Sequence, residues 1–577
     1  MTGRREEKMD YTNDSTLSMS QTPHSGVSSL TEWESDKEAY AHWTASRNDK
    51  EEHIAAHPEL SVVSFPRGTG IILPIFSLPS KYGIGTFGAE AYRFCDFLHE
   101  AGMRYWQIRP LGPTSYGDSP YQSFSTVAGN PYFIDLEYLC ADGLLESEEL
   151  EAIPFGEEEE YVNYSLLYNQ RYRLLRRAFE RAVGKQPLAT DETTTIFGYS
   201  FLEGDRGTCE TLAHFRAENA DWIEEYALFQ ALKAEHFDVQ WTEWAPEYRD
   251  RDTAALAAFR AEHEEDLLFQ IFLQYHFFRQ WRALKDYAHE KGLLFIGDMP
   301  IYIAHDSADV WAKRDEFYLD KSGNPTVVAG APPDAFTADG QRWGNPLYRW
   351  NVMAERNYAF WVRRFRANLN LYDVLRLDHF IGFAHYWTVP AEDETARYGH
   401  WEPGPGLSLF LTLQRELGPL PILVEDLGVL SPEVIILREK TGFPGMKPLQ
   451  FAFGGGSDSD YLPHRFDRHT SIYSGTHDTE PLRTWWEHLD PHIRCLVGDY
   501  FALHDSEGVR WGLLRGAIST VADLCVLQMQ DILWTDERTR TNLPGSLGGN
   551  WKWRLLRDYA DPEITKRLRA LNVLYGR

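Results

Sequence analysis

Four apolar stretches of this sequence end in acidic residues. LLFIGD closes on Asp298, DVLRLD closes on Asp378, ILVED carries Glu425 and Asp426, and IYSGTH runs into Asp478. A carboxylate leaving an apolar strand is often only the cap of the next helix. Four of them at four strand ends would point into one cleft instead. Cleavage of a glycosidic bond needs such a collection, because its transition state carries positive charge on the anomeric carbon and ring oxygen. One carboxylate attacks that carbon, a protonated one gives its proton to the leaving oxygen, and a third steadies the cation or grips sugar hydroxyls. These roles need different pKa values and hence different neighbours.

The neighbours are present. Arg376 and Asp378 are two apart, so in a strand they face the same side. A guanidinium there predicts that Asp378 stays ionised, as a nucleophile must. Glu425 directly follows the apolar run Ile422–Val424 and is the candidate acid/base. Asp426 points to the opposite face and is expected to cap the turn. In SGTHDT (474–479), small residues precede His477 and Asp478 and allow close approach of the backbone to a ligand. His477 either donates to a sugar hydroxyl or is structural. No His/Asp/Glu cluster has tetrahedral metal spacing, so neither metal nor cofactor is expected.

Elements of two kinds must position these residues. Short apolar strands followed by amphipathic helices begin near residue 70. Strands are predicted near Ile71–Ile75, Arg104–Pro110, Leu293–Asp298, Val374–Asp378, Ile422–Glu425, Pro448–Phe453 and Ile472–Thr476, with an eighth near Cys525–Leu533. Alternation of strands and helices implies a parallel sheet, and about eight units imply an α/β fold of the closed (β/α)₈ TIM barrel type, whose site lies at the strand C-termini. A helix-rich, acidic insertion is expected at about 145–265 and an active-site loop at about 325–350. Leu267–Lys291 is predicted as an amphipathic helix with a core-facing aromatic stripe, ended by Gly292. Residues 1–62 are a partly disordered N-terminal extension and 63–577 the catalytic domain.

Composition narrows the classes. The net charge of −29 repels phosphate backbones and disfavours a nucleic-acid partner. Five scattered cysteines without a CxxC pair fit a reducing compartment. No uncharged run is long enough to span a bilayer and no signal peptide is evident, so a cytoplasmic protein without a membrane partner is expected. Abundant aromatics, including 19 Trp, suit stacking on sugar faces and equally suit a large core.

Together these residues resemble the amylomaltases or disproportionating enzymes, the 4-α-glucanotransferases of glycoside hydrolase family 77. The resemblance runs from about residue 65 to the C-terminus. It is carried by LPIFSLPSKYGIGTFG (73–88), GDSPYQSFSTVAGNPYFI (117–134), GDMPIYIAHDSADVW (297–311), GAPPDAFTADGQRWGNPLYRW (330–350), LRLDHFIGF (375–383), VEDLG (424–428), SGTHD (474–478) and NLPG…NWKWRL (542–555). It implies Asp378 as nucleophile, Glu425 as acid/base and Asp478 as transition-state stabiliser. It implies Asp298, Arg376, His477, Ser119 and Tyr121 as contacts of the sugar at the cleavage point, and Trp343 in a mobile loop over the bound chain. The implied partners are an α-1,4-glucan donor and a glucose or maltooligosaccharide acceptor; an amylase-type hydrolase is the alternative. Departures are Ile381 where many relatives have Arg, and Thr479 where many have Asn; neither touches the three carboxylates.

Overall fold

The computed structural model describes residues 61 and 63–577, apart from 115–117, 156–158, 185–194, 197–198, 201–211, 334–336, 429 and 547; at 195–196 and 199–200 only the backbone is described. The N-terminal extension, Cys209 and part of the acidic run Glu157–Glu160 therefore lie outside the described residues.

Eight parallel strands close into a barrel: β1 (Gly68–Ile72), β2 (Tyr105–Gln107), β3 (Leu294–Met299), β4 (Val374–Leu377), β5 (Ile422–Val424), β6 (Gly445–Pro448), β7 (Thr470–Tyr473) and β8 (Leu524–Gln528). They pair in chain order, and β8 closes the ring on β1. The expected (β/α)₈ barrel is what the chain forms. Three predicted boundaries move. β1 starts at Gly68, before the predicted Ile71; a Cβ on Gly70 would come 2.7 Å from Tyr105 Cβ, so the pairing with β2 needs a glycine. β6 lies at Gly445–Pro448, before the predicted segment, where Leu449–Phe451 is a single 3₁₀ turn. β8 ends at Gln528, and Met529–Leu533 coils into a short helix.

The inside of the barrel is filled by alternate strand residues, including Ile72, Tyr105, Ile296, Val374, Leu423, Met446, Tyr473 and Val526. Since Val374 faces inward, Arg376 two residues on does so too and is buried. A helix over Glu264–Glu290 leads into β3 and ends before Gly292, whose φ of +75° an L side chain rarely adopts. Its buried face carries Phe269, Phe272, Phe277 and Trp281; Trp281 packs on Phe295 with ring centroids 4.7 Å apart, so the aromatic stripe is core. Between β2 and β3 the described residues form several helices, the longest before Glu264 being Tyr164–Gly184 and Ile223–Glu235.

Residues 325–350 are more ordered than a loop. Val327–Ala331 and Gln341–Pro346 pair as a hairpin within a four-stranded sheet completed by His385–Pro390 and His400–Pro403. Among the described residues, no helix is long and apolar enough to cross a membrane.

Candidate active site

The register of the barrel puts the predicted residues side by side. Arg376 of β4 stands opposite Asp298 of β3 and Leu423 of β5. Beyond the strand ends, Asp378 N–H donates to the Met299 carbonyl (3.1 Å) and Glu425 N–H to the Leu377 carbonyl (2.9 Å). Alignment thus continues one residue past the strands, and both carboxyls emerge at the same C-terminal mouth.

Arg376 is the hub. Its Nη1 donates to Asp298 Oδ1 (2.6 Å) and Asp378 Oδ1 (2.8 Å), and its Nη2 to Glu425 Oε2 (2.6 Å). Asp298 and Arg376 are sealed from water, at 0% and 2% side-chain exposure. Asp378 (23%), Glu425 (21%) and Asp478 (40%) reach the cleft. The buried pair holds; the three open carboxylates are available to a ligand. His379 sits at φ +48°, uncommon for a residue with a side chain, and its backbone N–H donates to Glu425 Oε2 (3.1 Å).

Asp378 and Glu425 share Arg376 as a donor. Two carboxyls gathered on one guanidinium do not both ionise easily, so their titrations are linked. Burial pushes Asp378 well above the usual range, and Glu425 and Asp298 add to this against Arg376. Burial also opposes ionisation of Glu425, but Arg376, Asp378 and the His379 N–H together hold it low. Arg376 favours the ionised form of Asp378, but the guanidinium divides its charge among three carboxylates, and Glu425 also takes the His379 N–H.

Asp478 stands on the far side. Its Oδ2 is 3.1 Å from His477 Nε2, its Oδ1 accepts from Asn542 Nδ2 (2.5 Å), and its carbonyl accepts from Arg540 (2.6 Å). Burial lifts its pKa to about 6, with Asn542 pulling the other way. A Cβ on Gly475 would lie 2.2 Å from Gln528 Nε2, so the glycine also admits a barrel side chain.

The remaining predicted residues divide. Tyr121 joins the cluster, donating through its hydroxyl to Asp298 Oδ2 (2.8 Å), and its ring stacks on His477 at 5.3 Å and 14°. Trp343 stands edge-on to His379, with ring centroids 4.8 Å apart, one residue from Asp378. Ser119 is a turn residue whose hydroxyl accepts the Tyr121 N–H (3.3 Å). Asp426 does not cap a turn. It is fully buried, accepts the Met446 N–H (2.8 Å) and pairs with Arg438, tying β5 to β6.

Sequence reasoning missed Arg109, Asn542 and Arg540. Arg109 Nη1 lies 2.5 Å from Asp298 Oδ2, 2.9 Å from the Tyr121 hydroxyl and 2.7 Å from His477 Nδ1. A buried arginine in the strand segment ending IRP carries no local signal of chemistry. Asn542 lies in the NLPG motif, which was noted without a role.

The chain is similar to known proteins over most of its length. A family profile described as 4-alpha-glucanotransferase, glycoside hydrolase family 77, matches residues 73–558. The 4-alpha-glucanotransferase of Thermus thermophilus is 44% identical over 88% of this chain and 99% of its own, and that of Clostridium butyricum is 43% identical over 87% and 99%. The solved amylomaltase of Streptococcus agalactiae, in complex with acarbose, is 36% identical with a TM-score of 0.83, over 89% of this chain and 99% of its own.

Proposed function

The chain belongs to the 4-alpha-glucanotransferase family, and we propose that it transfers a segment of an α-1,4-glucan to the 4-hydroxyl of another glucan or of glucose by retaining double displacement. In this reading Asp378 is the nucleophile, Glu425 the acid/base and Asp478 the transition-state stabiliser. The observation that supports it most is that Asp378 and Glu425 are both held by one guanidinium, at 2.8 and 2.6 Å. Retaining enzymes keep their two carboxyls about 5–5.5 Å apart, whereas inversion needs room for a water and about 6.5–9.5 Å. Two carboxyls gathered on the same guanidinium favour the narrow spacing.

The steps follow from the contacts. In the reactive state Glu425 carries a proton and Asp378 is ionised. Asp378 then attacks the anomeric carbon, the glycosidic bond breaks, and Glu425 delivers that proton to the leaving oxygen. The 4-hydroxyl of the acceptor next gives its proton to Glu425 and displaces Asp378, which restores the starting state. Asp298, held by Arg376 and Arg109, supports from behind the wall that Tyr121 and His477 present to the sugar hydroxyls. Ser119 lies at the turn that presents Tyr121. Starch, glycogen or shorter maltodextrins supply such donors, and the free thiols Cys95, Cys140, Cys495 and Cys525 fit a cytoplasmic place.

Incubation with maltotriose tests the reaction. A transferase yields glucose together with chains longer than the substrate; an enzyme giving only shorter sugars is a hydrolase, and the reading fails.

Two further outcomes are expected. Asp478 must be ionised to face positive charge, so kcat/KM falls as pH drops through about 6. Asn542→Leu removes a donor to its carboxylate and moves that fall to higher pH; a pH profile of both enzymes checks it. Trp343 covers His379 and shields the covalent intermediate from water. Trp343→Ala should therefore raise the ratio of hydrolysis to transfer several-fold on a maltodextrin. An unchanged ratio removes Trp343 from the lid.

A further inference from the structure

Asp298 is ion-paired twice. Arg376 takes its Oδ1 at 2.6 Å and Arg109 its Oδ2 at 2.5 Å, all three side chains being 2% exposed or less. Arg376 alone would neutralise Asp298 and reach Asp378 and Glu425 as well. A second fully buried guanidinium is costly, since burial penalises each charge and the two cations repel. Its Nε and Nη2 have no hydrogen-bond partner among the described residues. All its contacts run through Nη1, to Asp298, the Tyr121 hydroxyl and His477 Nδ1.

The contact with His477 is the one that nothing else in the cluster supplies. A guanidinium nitrogen can only donate. The imidazole nitrogen 2.7 Å from it must therefore accept, and a nitrogen that accepts carries no proton. The ring is then neutral, with its proton on Nε2, the nitrogen that lies 3.1 Å from Asp478 Oδ2. The ring plane is fixed by the Tyr121 stack on one side and by Trp551, 5.6 Å away and tilted 35°.

We propose that Arg109 is a positioning residue that locks His477 as the neutral Nε2–H tautomer and so leaves the charge of the neighbouring Asp478 uncompensated. The need for a lock follows from the company His477 keeps. Asp298, Asp378, Glu425 and Asp478 all face this cluster, and four carboxylates draw a proton onto an imidazole. An imidazolium would pair with Asp478 and neutralise the charge meant for the developing sugar cation. Against that pull stand Arg109 and Arg376, with Arg540 on the Asp478 carbonyl. Burial, then Arg109, then Arg376 hold His477 well below its ordinary value. The NMR part of the test below is independent of the double-displacement reading; the activity part rests on it.

The test is long-range ¹H–¹⁵N NMR of enzyme labelled with ¹⁵N-histidine, followed from about pH 5 to 8, where an ordinary histidine titrates. The His477 signal is identified by its loss in His477→Asn. In the wild-type enzyme His477 should show a bare Nδ1 and a protonated Nε2 throughout, without titrating. In Arg109→Met it should begin to titrate within this range, and the acidic fall of kcat/KM should move up by roughly one pH unit. kcat at pH 7 should drop by about 100-fold, the order expected for a misplaced catalytic group. A wild-type His477 protonated on Nδ1, or titrating near its ordinary pKa, overturns the proposal even if Arg109→Met does not fold. So does a folded Arg109→Met enzyme with unchanged His477 and an unmoved pH profile. If the wild-type enzyme makes no longer chains from maltotriose, the proposed function fails while the tautomer result stands on its own.

Discussion

Asp378→Asn is expected to lower kcat on maltotriose by roughly 10⁴-fold or more, the scale seen when a covalent nucleophile is removed. An amide cannot make the bond to the anomeric carbon, so the first displacement has no route. The fold should survive, because Asp378 reaches the cleft while Arg376 keeps Asp298 and Glu425. Calorimetry should still detect maltodextrin binding. Turnover within tenfold of wild type would remove Asp378 from the chemistry.

Glu425→Gln is expected to cost about 10²- to 10⁴-fold on maltotriose, the usual range for a positioned acid/base. The loss should depend on the leaving group. Fluoride departs without a proton, so an α-maltosyl fluoride needs Glu425 only in the second step. The first displacement should then be nearly as fast as in wild type, and the covalent intermediate should accumulate because no base activates the acceptor. Loss of the Glu425 charge also lets Asp378 ionise more readily, since the like charge beside it is gone. Rapid-quench measurement of fluoride release separates the steps. Equal losses on maltotriose and on the fluoride would mean that Glu425 is not the acid/base.

Both predictions rest on residues whose place was legible before the structure. Asp298, Asp378 and Glu425 end or follow apolar runs, and the run length alone located the barrel mouth. The Arg376–Asp378 spacing correctly put both on one face, because period-two alternation is a property of any strand. The full set of partners of Arg376 was not legible. Spacing revealed one partner of Arg376, whereas the cross-strand register supplied two more, Asp298 and Glu425. Arg109 was hidden for the same reason: its three contacts lie 12, 189 and 368 residues away.

The misplaced strands have a related cause. β6 reads GMKP, with a glycine and a proline and little strand character. It is a strand because Asp426 of the preceding unit accepts the Met446 N–H, and because a Cβ on Gly445 would meet that carboxylate at 2.4 Å. Tertiary contact overrides local propensity there, and the same contact explains why Asp426 is not the cap its position suggested.

The measurement closest to the central claim is to trap the covalent intermediate. Glu425→Gln enzyme is incubated with α-maltosyl fluoride, digested with pepsin and analysed by mass spectrometry. The account predicts a maltosyl adduct on the peptide that contains Asp378, with the attachment mapped to that carboxyl. An adduct on Asp478 or on another residue, or fluoride release with no adduct at all, would contradict it.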